Sequence, residues 1–249
     1  GTGGQEASLF VGDLYRAYYR GSGHEGPTYR EHTCDAESHD GVVWTKPKLG
    51  LCEYNGSKEN NIVWIGSGTH NFTPFLDTNP AAKPEDRYKA LAGGPLIALS
   101  SPDGLHWKKM QEDPVITKGA FDSQNVAFWD PTRGRYAAYF RGFRDGVRAI
   151  MYATSQDFLK WTDSEWVDLG DSKKEHLYTN ATTPYFRAPE ILMSFPMRYV
   201  EGRQWDPKHV APGLCDAVYM TSRDGVHFDR TFMEAFVRPG LDPENWTER

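Results

Sequence analysis

One seven-residue phrase recurs four times along this chain and narrows its possible folds more than any other feature. The clearest copy is Ser101-Pro102-Asp103-Gly104-Leu105-His106-Trp107. The others are Ser38-His39-Asp40-Gly41-Val42-Val43-Trp44, Ser155-Gln156-Asp157-Phe158-Leu159-Lys160-Trp161 and Ser222-Arg223-Asp224-Gly225-Val226-His227-Phe228. An Asp that accepts hydrogen bonds from backbone N–H groups ahead of it turns a chain sharply, and a Gly after it tolerates positive φ. The aromatic ring closing each phrase starts a new strand and gives it something large to bury. Apolar or small residues precede the copies, as in Leu96-Ile97-Ala98-Leu99 and Ala149-Ile150-Met151-Tyr152. Each copy therefore reads as strand, tight turn, strand.

The turn Asp residues are 63, 54 and 67 positions apart. A second phrase keeps that register: Tyr15-Arg16-Ala17-Tyr18-Tyr19-Arg20-Gly21 returns as Tyr136-Ala137-Ala138-Tyr139-Phe140-Arg141-Gly142, and more weakly as Tyr88-Lys89-Ala90-Leu91-Ala92-Gly93-Gly94. Periods at or above about 40–50 residues suit four-stranded propeller blades with elaborated loops. A helical solenoid needs apolar residues at 3.6 spacing, which no stretch sustains. The expected fold is all-β, a β-propeller of four-stranded antiparallel blades. The blades fall at about 1–55, 60–115, 118–170 and 175–240, and 241–249 reads as the start of a fifth. The four are thus expected to belong to a five-bladed ring, completed by another segment or by an oligomeric partner.

Finer assignments follow from composition along the chain. In the first blade, Glu6 to Val11, Leu14 to Arg20, Thr33 to Glu37 and Trp44 to Glu53 read as strands, and the Gly- and Pro-containing stretch Gly21 to Pro27 as a loop. Ile62-Val63-Trp64-Ile65 reads as the opening of the second blade. Pro74, Pro80 and Pro84 mark Thr69 to Asp86 as a long loop.

Several function classes fall away. A net charge of −6 with no long basic run argues against nucleic acid or an anionic membrane as partner. No window of about 18 apolar residues marks a membrane span, and Gly1-Thr2-Gly3-Gly4 lacks a signal-peptide pattern. Cys34, Cys52 and Cys215 are too few and too scattered for a disulfide framework or a C-x-x-C metal site, although Cys34 and Cys52 on neighbouring strands remain a candidate pair. No His/Cys cluster has zinc spacing and no glycine-rich phosphate loop follows a strand, so no cofactor is expected; a structural calcium held by channel oxygens stays open. Aromatic residues make up 14% of the chain, including 8 Trp and 13 Tyr, which suits both packing between sheets and the lining of a carbohydrate cleft.

The S-x-D-G-x-x-W phrase, together with Phe128-Trp129-Asp130-Pro131-Thr132-Arg133-Gly134-Arg135-Tyr136, resembles the five-bladed glycoside hydrolases of families 32 and 43. The resemblance covers blades one to four. It implies a carbohydrate substrate, a secreted or periplasmic location, and three carboxylates: a base or nucleophile in blade one, a charge stabiliser opening blade three, and a Glu acid in blade four. Aligned on Phe128-Trp129-Asp130, the stabiliser position falls on Gln124, with Asp122 two residues earlier on the same face of a strand. At the acid motif, Arg187-Ala188-Pro189-Glu190 places Arg where the family has Glu.

The catalytic candidates are therefore Asp122, Glu190 and Glu6. Asp122 opens an inner strand beside Ser123, Gln124 and Asn125, polar residues where strand propensity favours others; a plain structural turn is the competing reading. Candidate substrate-binding residues are Arg187, which suits a carboxylate or sulfate; Asn125; His70, which reaches the pocket or satisfies loop carbonyls; Trp205, a stacking platform; and Glu248, at the start of a fifth inner strand. Asp122 is expected at the mouth of the channel within reach of Arg187. The sequence thus reads as a glycoside hydrolase-like enzyme acting through carboxylates at the propeller channel. A non-catalytic carbohydrate-binding propeller and a protein-interaction propeller are the alternatives.

Overall fold

The computed structural model describes residues 6–204, 207–208, 212–242 and 245, and of Glu6 only the backbone. Four four-stranded antiparallel sheets follow one another along the chain as propeller blades. The first is β1 (Glu6–Val11), β2 (Leu14–Glu25), β3 (Thr28–Ser38) and β4 (Ile62–Trp64). The second is β5 (Thr73–Leu76), β6 (Tyr88–Gly93), β7 (Leu96–Ser101) and β8 (Lys108–Lys109), and the third is β9 (Val126–Asp130), β10 (Arg135–Arg144), β11 (Val147–Ser155) and β12 (Glu165–Trp166). The fourth needs two sheets. β13 (His176–Leu177), β16 (Met197–Val200) and β17 (Leu214–Ala217) make a three-stranded sheet; β14 (Thr183–Tyr185), β15 (Ala188–Ser194), β18 (Met220–Ser222) and β19 (Phe228–Asp229) make the blade proper. β15 runs into β16 through Phe195-Pro196, so the smaller sheet continues the blade beyond that break.

The four repeated phrases build one and the same turn. In each, the Ser hydroxyl accepts from the N–H groups of the Asp and of the residue after it, at 2.8–3.3 Å. Oδ1 of each Asp accepts from the next two N–H groups beyond, at 2.7–2.9 Å. Against the upward push of burial, these bonds and one from the His106 or His227 ring hold the Asp103 and Asp224 carboxyls well below the usual carboxylate range. Where the phrase ends in Trp, its indole N–H donates back to the carbonyl after the Asp. The Asp carboxylates are consumed by the turn, in line with a structural rather than catalytic role.

Each junction between consecutive blades has its own core. Tyr18 and Val63 meet Phe72, Tyr88, Leu99 and Trp107 at the first. Phe75, Leu91 and Leu96 meet Phe121, Ala138, Phe140 and Phe158 at the second, and Phe128, Tyr139 and Ile150 meet Leu192, Val218 and Phe228 at the third. Two junctions share a further link. The Tyr18 hydroxyl donates to the Gly104 carbonyl at 2.9 Å, and the Tyr139 hydroxyl to the Gly225 carbonyl at 2.7 Å. The second junction has Leu91 in the Tyr place, and there the turn carries the fully buried Phe158 at φ 68. The larger ring occupies the room that the shorter Leu91 leaves.

Four assignments differ from the sequence reading. The Gly21 to Pro27 stretch continues the β2–β3 ribbon instead of forming a loop. Its glycines serve contact rather than turning: a Cβ on Gly21 would lie 2.7 Å from Cys34 Sγ, and one on Gly23 would lie 2.5 Å from Tyr54 Oη. Only Gly26, at φ 58, makes the turn. Ile62–Trp64 closes blade one, pairing with Thr33 and Cys34, instead of opening blade two. The Trp44 to Glu53 stretch, read as that closing strand, lies in an excursion touching β3 through the Glu37–Thr45 bridge. Blade two opens inside the supposed loop, with Pro74 opposite Ala90. β5 is an edge strand of its sheet, where a missing N–H costs no ladder bond. Cys34 and Cys52, the candidate pair, are both free thiols. Most of 241–249, read as the start of a fifth blade, lies outside the described residues.

Blade one also buries a carboxylate. Asp35 is fully buried, with Arg16 Nη1 3.1 Å from its Oδ2. Burial pushes its carboxyl up to about 6 against the pull of Arg16. Because this folded-state value exceeds the unfolded one, protonated Asp35 favours the folded chain, and that stabilisation is lost as pH rises through about 6. The expected result is a wild-type stability that falls relative to Asp35→Asn between about pH 4 and pH 6, by on the order of 3 kcal/mol. Denaturant unfolding of both proteins across that range checks it; parallel pH profiles would refute it.

Candidate functional site

Chain direction sorts the candidates before any side chain is considered. The first strands of blades one to three are neighbours in series, β1 beside β5 and β5 beside β9. Residues just before these strands lie at one end of the ring, here the entry end. The turns from first to second strand and the repeated Asp turns lie at the other. Arg133, in the β9–β10 turn, marks that second end: it pairs with Asp130 at 2.6 Å and donates to the carbonyls of Glu190 and Arg223. Asp122 precedes β9, and β9 alone spans about 13 Å at 3.3 Å per residue.

Asp122 and Glu190 are therefore not brought together. Glu190 is exposed beside the Arg133 turn, at the far end of the ring from Asp122. Arg187 shares that far end, in the β14–β15 turn, with its guanidinium 5.1 Å from the Phe186 ring. The expected pairing of Asp122 with Arg187 is thus replaced by one with Arg141. Arg187 was misplaced because the resemblance aligns motifs without saying at which end of a short hairpin a residue emerges. Glu6 begins β1 and so belongs to the entry end; its side chain, with Trp205 and Glu248, lies outside the described residues.

The Asp122 loop is tightly fixed. Asn125 is completely buried, and its amide donates to the carbonyls of Phe121 at 2.9 Å and Ser123 at 2.8 Å. From the opposite side, buried Asn71 donates to the same Phe121 carbonyl and to Gly93 O at 3.0 Å, while accepting from Gly93 N–H at 2.6 Å. Gln124 accepts from Ala181 N–H at 3.1 Å, tying the loop to blade four. Asn125, expected to bind substrate, thus spends its amide on holding the loop. The Asp122 carboxylate itself stays 68% exposed and pairs with Arg141, whose side chain is only 4% exposed.

Arg141 is the functional residue that the sequence reading missed. Its signal is the second repeated phrase, which ends in Arg-Gly in blades one and three: Arg20 and Arg141 hold equivalent positions near the entry end. Arg20 Nη1 lies 2.7 Å from His70 Nδ1, which lies 3.0 Å from Glu31 Oε2. The two repeats thus supply two ionic clusters, Arg20–His70–Glu31 and Arg141–Asp122. A cleft of about 840 Å³ runs between them, lined by Gly68, His70, Asn71, Pro95, Glu112 and Asp122 among others. His70 lines this cleft, about half-exposed. A volume of this size suits a small glycan segment.

Around Arg141, aromatic rings replace further carboxylates. Its guanidinium lies 4.6 Å from the Tyr178 ring centre and 5.5 Å from that of Phe143, which is well exposed. Among the described residues no group of three His, Cys, Asp or Glu side chains converges as metal ligands, and no helix is long and apolar enough to cross a membrane.

No family model and no curated protein matches this chain. Solved structures do. A glycoside hydrolase superposes with a TM-score of 0.56 at 11% identity, over 98% of this chain and 77% of that one. A glycoside hydrolase family 130 structure, from work on enzymes that target β-1,2-mannosidic linkages in Candida mannan, gives 0.56 at 14% identity over 95% and 72%. The family 93 α-L-arabinofuranosidase of Fusarium graminearum, solved with arabinobiose, gives 0.55 at 12% identity; the chain spans 63% of its length. The likeness to glycoside hydrolases is one of fold, and the last two of these neighbours are of families 130 and 93 rather than 32 or 43.

Proposed function

We propose that this chain is a carbohydrate-recognising propeller that binds its glycan at the entry end of the ring, across the cleft between His70 and Asp122. The observation that carries this is the Asp122–Arg141 pair: an exposed carboxylate held by a buried guanidinium, on a loop pinned by two buried asparagines. Nothing in the turn chemistry of the fold requires such a group. Paired with a guanidinium, the carboxylate is placed to accept from sugar hydroxyls or to stabilise positive charge. The glycoside hydrolase neighbours support a carbohydrate ligand by fold alone.

Hydrolysis is the second reading. It needs two carboxyls about 5–5.5 Å apart for retention, or about 6.5–9.5 Å for inversion. Glu190, at the opposite end, does not meet that need. One observation favours Glu6 for the role: β1 begins at the same end as the Asp122 loop.

The test is calorimetric binding, with turnover assays, against a broad panel of oligosaccharides for wild type, Asp122→Asn and Glu6→Gln. Asp122→Asn is expected to weaken glycan binding by about tenfold or more, the worth of a charge-assisted hydrogen bond. Turnover lost in both variants supports the hydrolase reading. A wild type that binds, with Asp122→Asn binding equally well, makes Asp122 structural. A wild type that binds no glycan hands the fold to protein interaction.

A further inference from the structure

Beside the Asp122–Arg141 pair stands a second guanidinium that no acid among the described residues balances. Arg148, on β11 opposite Phe143, packs its guanidinium 5.2 Å from the Tyr178 ring centre and 5.8 Å from those of Phe143 and Tyr199. Tyr178 thus carries two guanidiniums, Arg141 at 4.6 Å and Arg148. Only one of the two has an acid: among the described residues no carboxylate lies within 4.0 Å of Arg148. Its Nε is buried without an acceptor.

A polar neighbour of Arg148 offers it a lone pair rather than a charge. The Arg148 backbone N–H donates to His176 Nδ1 at 3.2 Å, and the guanidinium Nη1 lies 3.4 Å from the same nitrogen. Nδ1 is therefore an acceptor, which places the ring proton on Nε2, 3.3 Å from Glu201 Oε1. The Glu201 charge is spent on the far side of the imidazole. Arg148 is left with aromatic faces and one neutral nitrogen, in a chain whose net charge is −6. Such a placement holds a cation half-desolvated without discharging it, which strengthens its interaction with an incoming anion.

We propose that the Arg148–Tyr178–Arg141 stack reads a negative charge on the glycan, a uronate carboxylate or a sulfate ester. The inference rests on the reading of the entry end as the glycan face, and it specifies the substrate class there. Arg148 supplies charge-assisted hydrogen bonds to the acidic group. Phe143, exposed beside both guanidiniums, offers its face to the sugar ring. Arg141, already paired with Asp122, sets the place of the stack and adds to its field.

The probes are uronate oligosaccharides, each paired with its methyl ester, and sulfated oligosaccharides, each paired with its desulfated form. Kd values are measured by calorimetry for wild type, Arg148→Gln and Arg238→Gln. Arg238, paired with Glu234 at an exposed site, controls for loss of one positive charge. Wild type is expected to bind the charged member of at least one pair about tenfold or more tightly. The pair that shows it separates carboxylate from sulfate. In Arg148→Gln that ratio should collapse to about twofold or less, and in Arg238→Gln it should persist, with both variants melting at the wild-type temperature. Equal wild-type affinity within every pair overturns the inference while the glycan-binding reading stands, as does a ratio that survives in a folded Arg148→Gln. Failure to bind any glycan removes the functional reading itself.

Discussion

Gly104→Ala is expected to cost about 3 kcal/mol or more in urea unfolding. Three causes act together. The residue has φ +79, a conformation that side chains enter only at a cost. The new Cβ would lie 2.5 Å from the Tyr18 hydroxyl, inside the first junction core, where Tyr18 is 1% exposed and has no room to withdraw. Any shift that relieves this contact also breaks the Tyr18 bond to the Gly104 carbonyl. Tyr18→Phe alone loses that bond, worth about 1 kcal/mol, and removes the clashing oxygen. The double variant should therefore be clearly more stable than additivity predicts. Strict additivity, or a single-variant cost below about 1 kcal/mol, would mean that the turn and its neighbour blade are not locked as described.

Glu175→Leu should be comparably severe for a different reason. Glu175 accepts from Arg230 at 2.9 Å and from Arg198 at 3.1 Å, and the Arg230 side chain has no exposure. Arg198 retains Asp216, at 2.6 Å, whereas Arg230 would keep no carboxylate partner among the described residues. Stranding a buried charge costs about 3–5 kcal/mol. Removing the charge as well, in Glu175→Leu with Arg230→Met, should recover a large part of that loss, because two apolar side chains replace two ions. Thermal unfolding of the single and double variants decides the matter: a double variant no more stable than the single would refute it.

What the sequence reveals here depends on how far each interaction reaches. The four Asp turns are legible because every bond within them closes inside seven residues, so the phrase is its own structure. Blade count and sheet type follow from repetition alone. Blade phase is harder. Ile62–Trp64 looks the same as an opening strand or a closing one, and only its pairing with Thr33 and Cys34 decides. Pro74 reads as a breaker unless the strand is known to lie at an edge. The site is least legible, because its contacts join residues far apart in the chain: Asp122 to Arg141 within blade three, and Arg148 to Tyr178 and Asn71 to Phe121 from one blade to the next. Asp122 was visible as an odd polar group before an apolar strand, and Arg141 was visible too, written in the second repeat beside Arg20. The two faces of Glu190 and Arg187 were not, since the residues of a short hairpin emerge at whichever end the chain direction dictates.

The junction cores have a consequence for how such a chain tolerates rearrangement. Tyr18 and Tyr139 each fit a turn that offers a bare carbonyl at glycine, while Leu91 fits a turn that offers a phenyl ring. Blade three set directly after blade one would drive the ring of Phe158 toward the hydroxyl of Tyr18. Blade four set after blade two would leave Gly225 facing a leucine, with a void where the ring had been. The blades share an ancestor-like pattern yet carry individual addresses, so their order is written into matched pairs of neighbours. Duplication or shuffling of one blade would need its neighbour's partner residue to change with it.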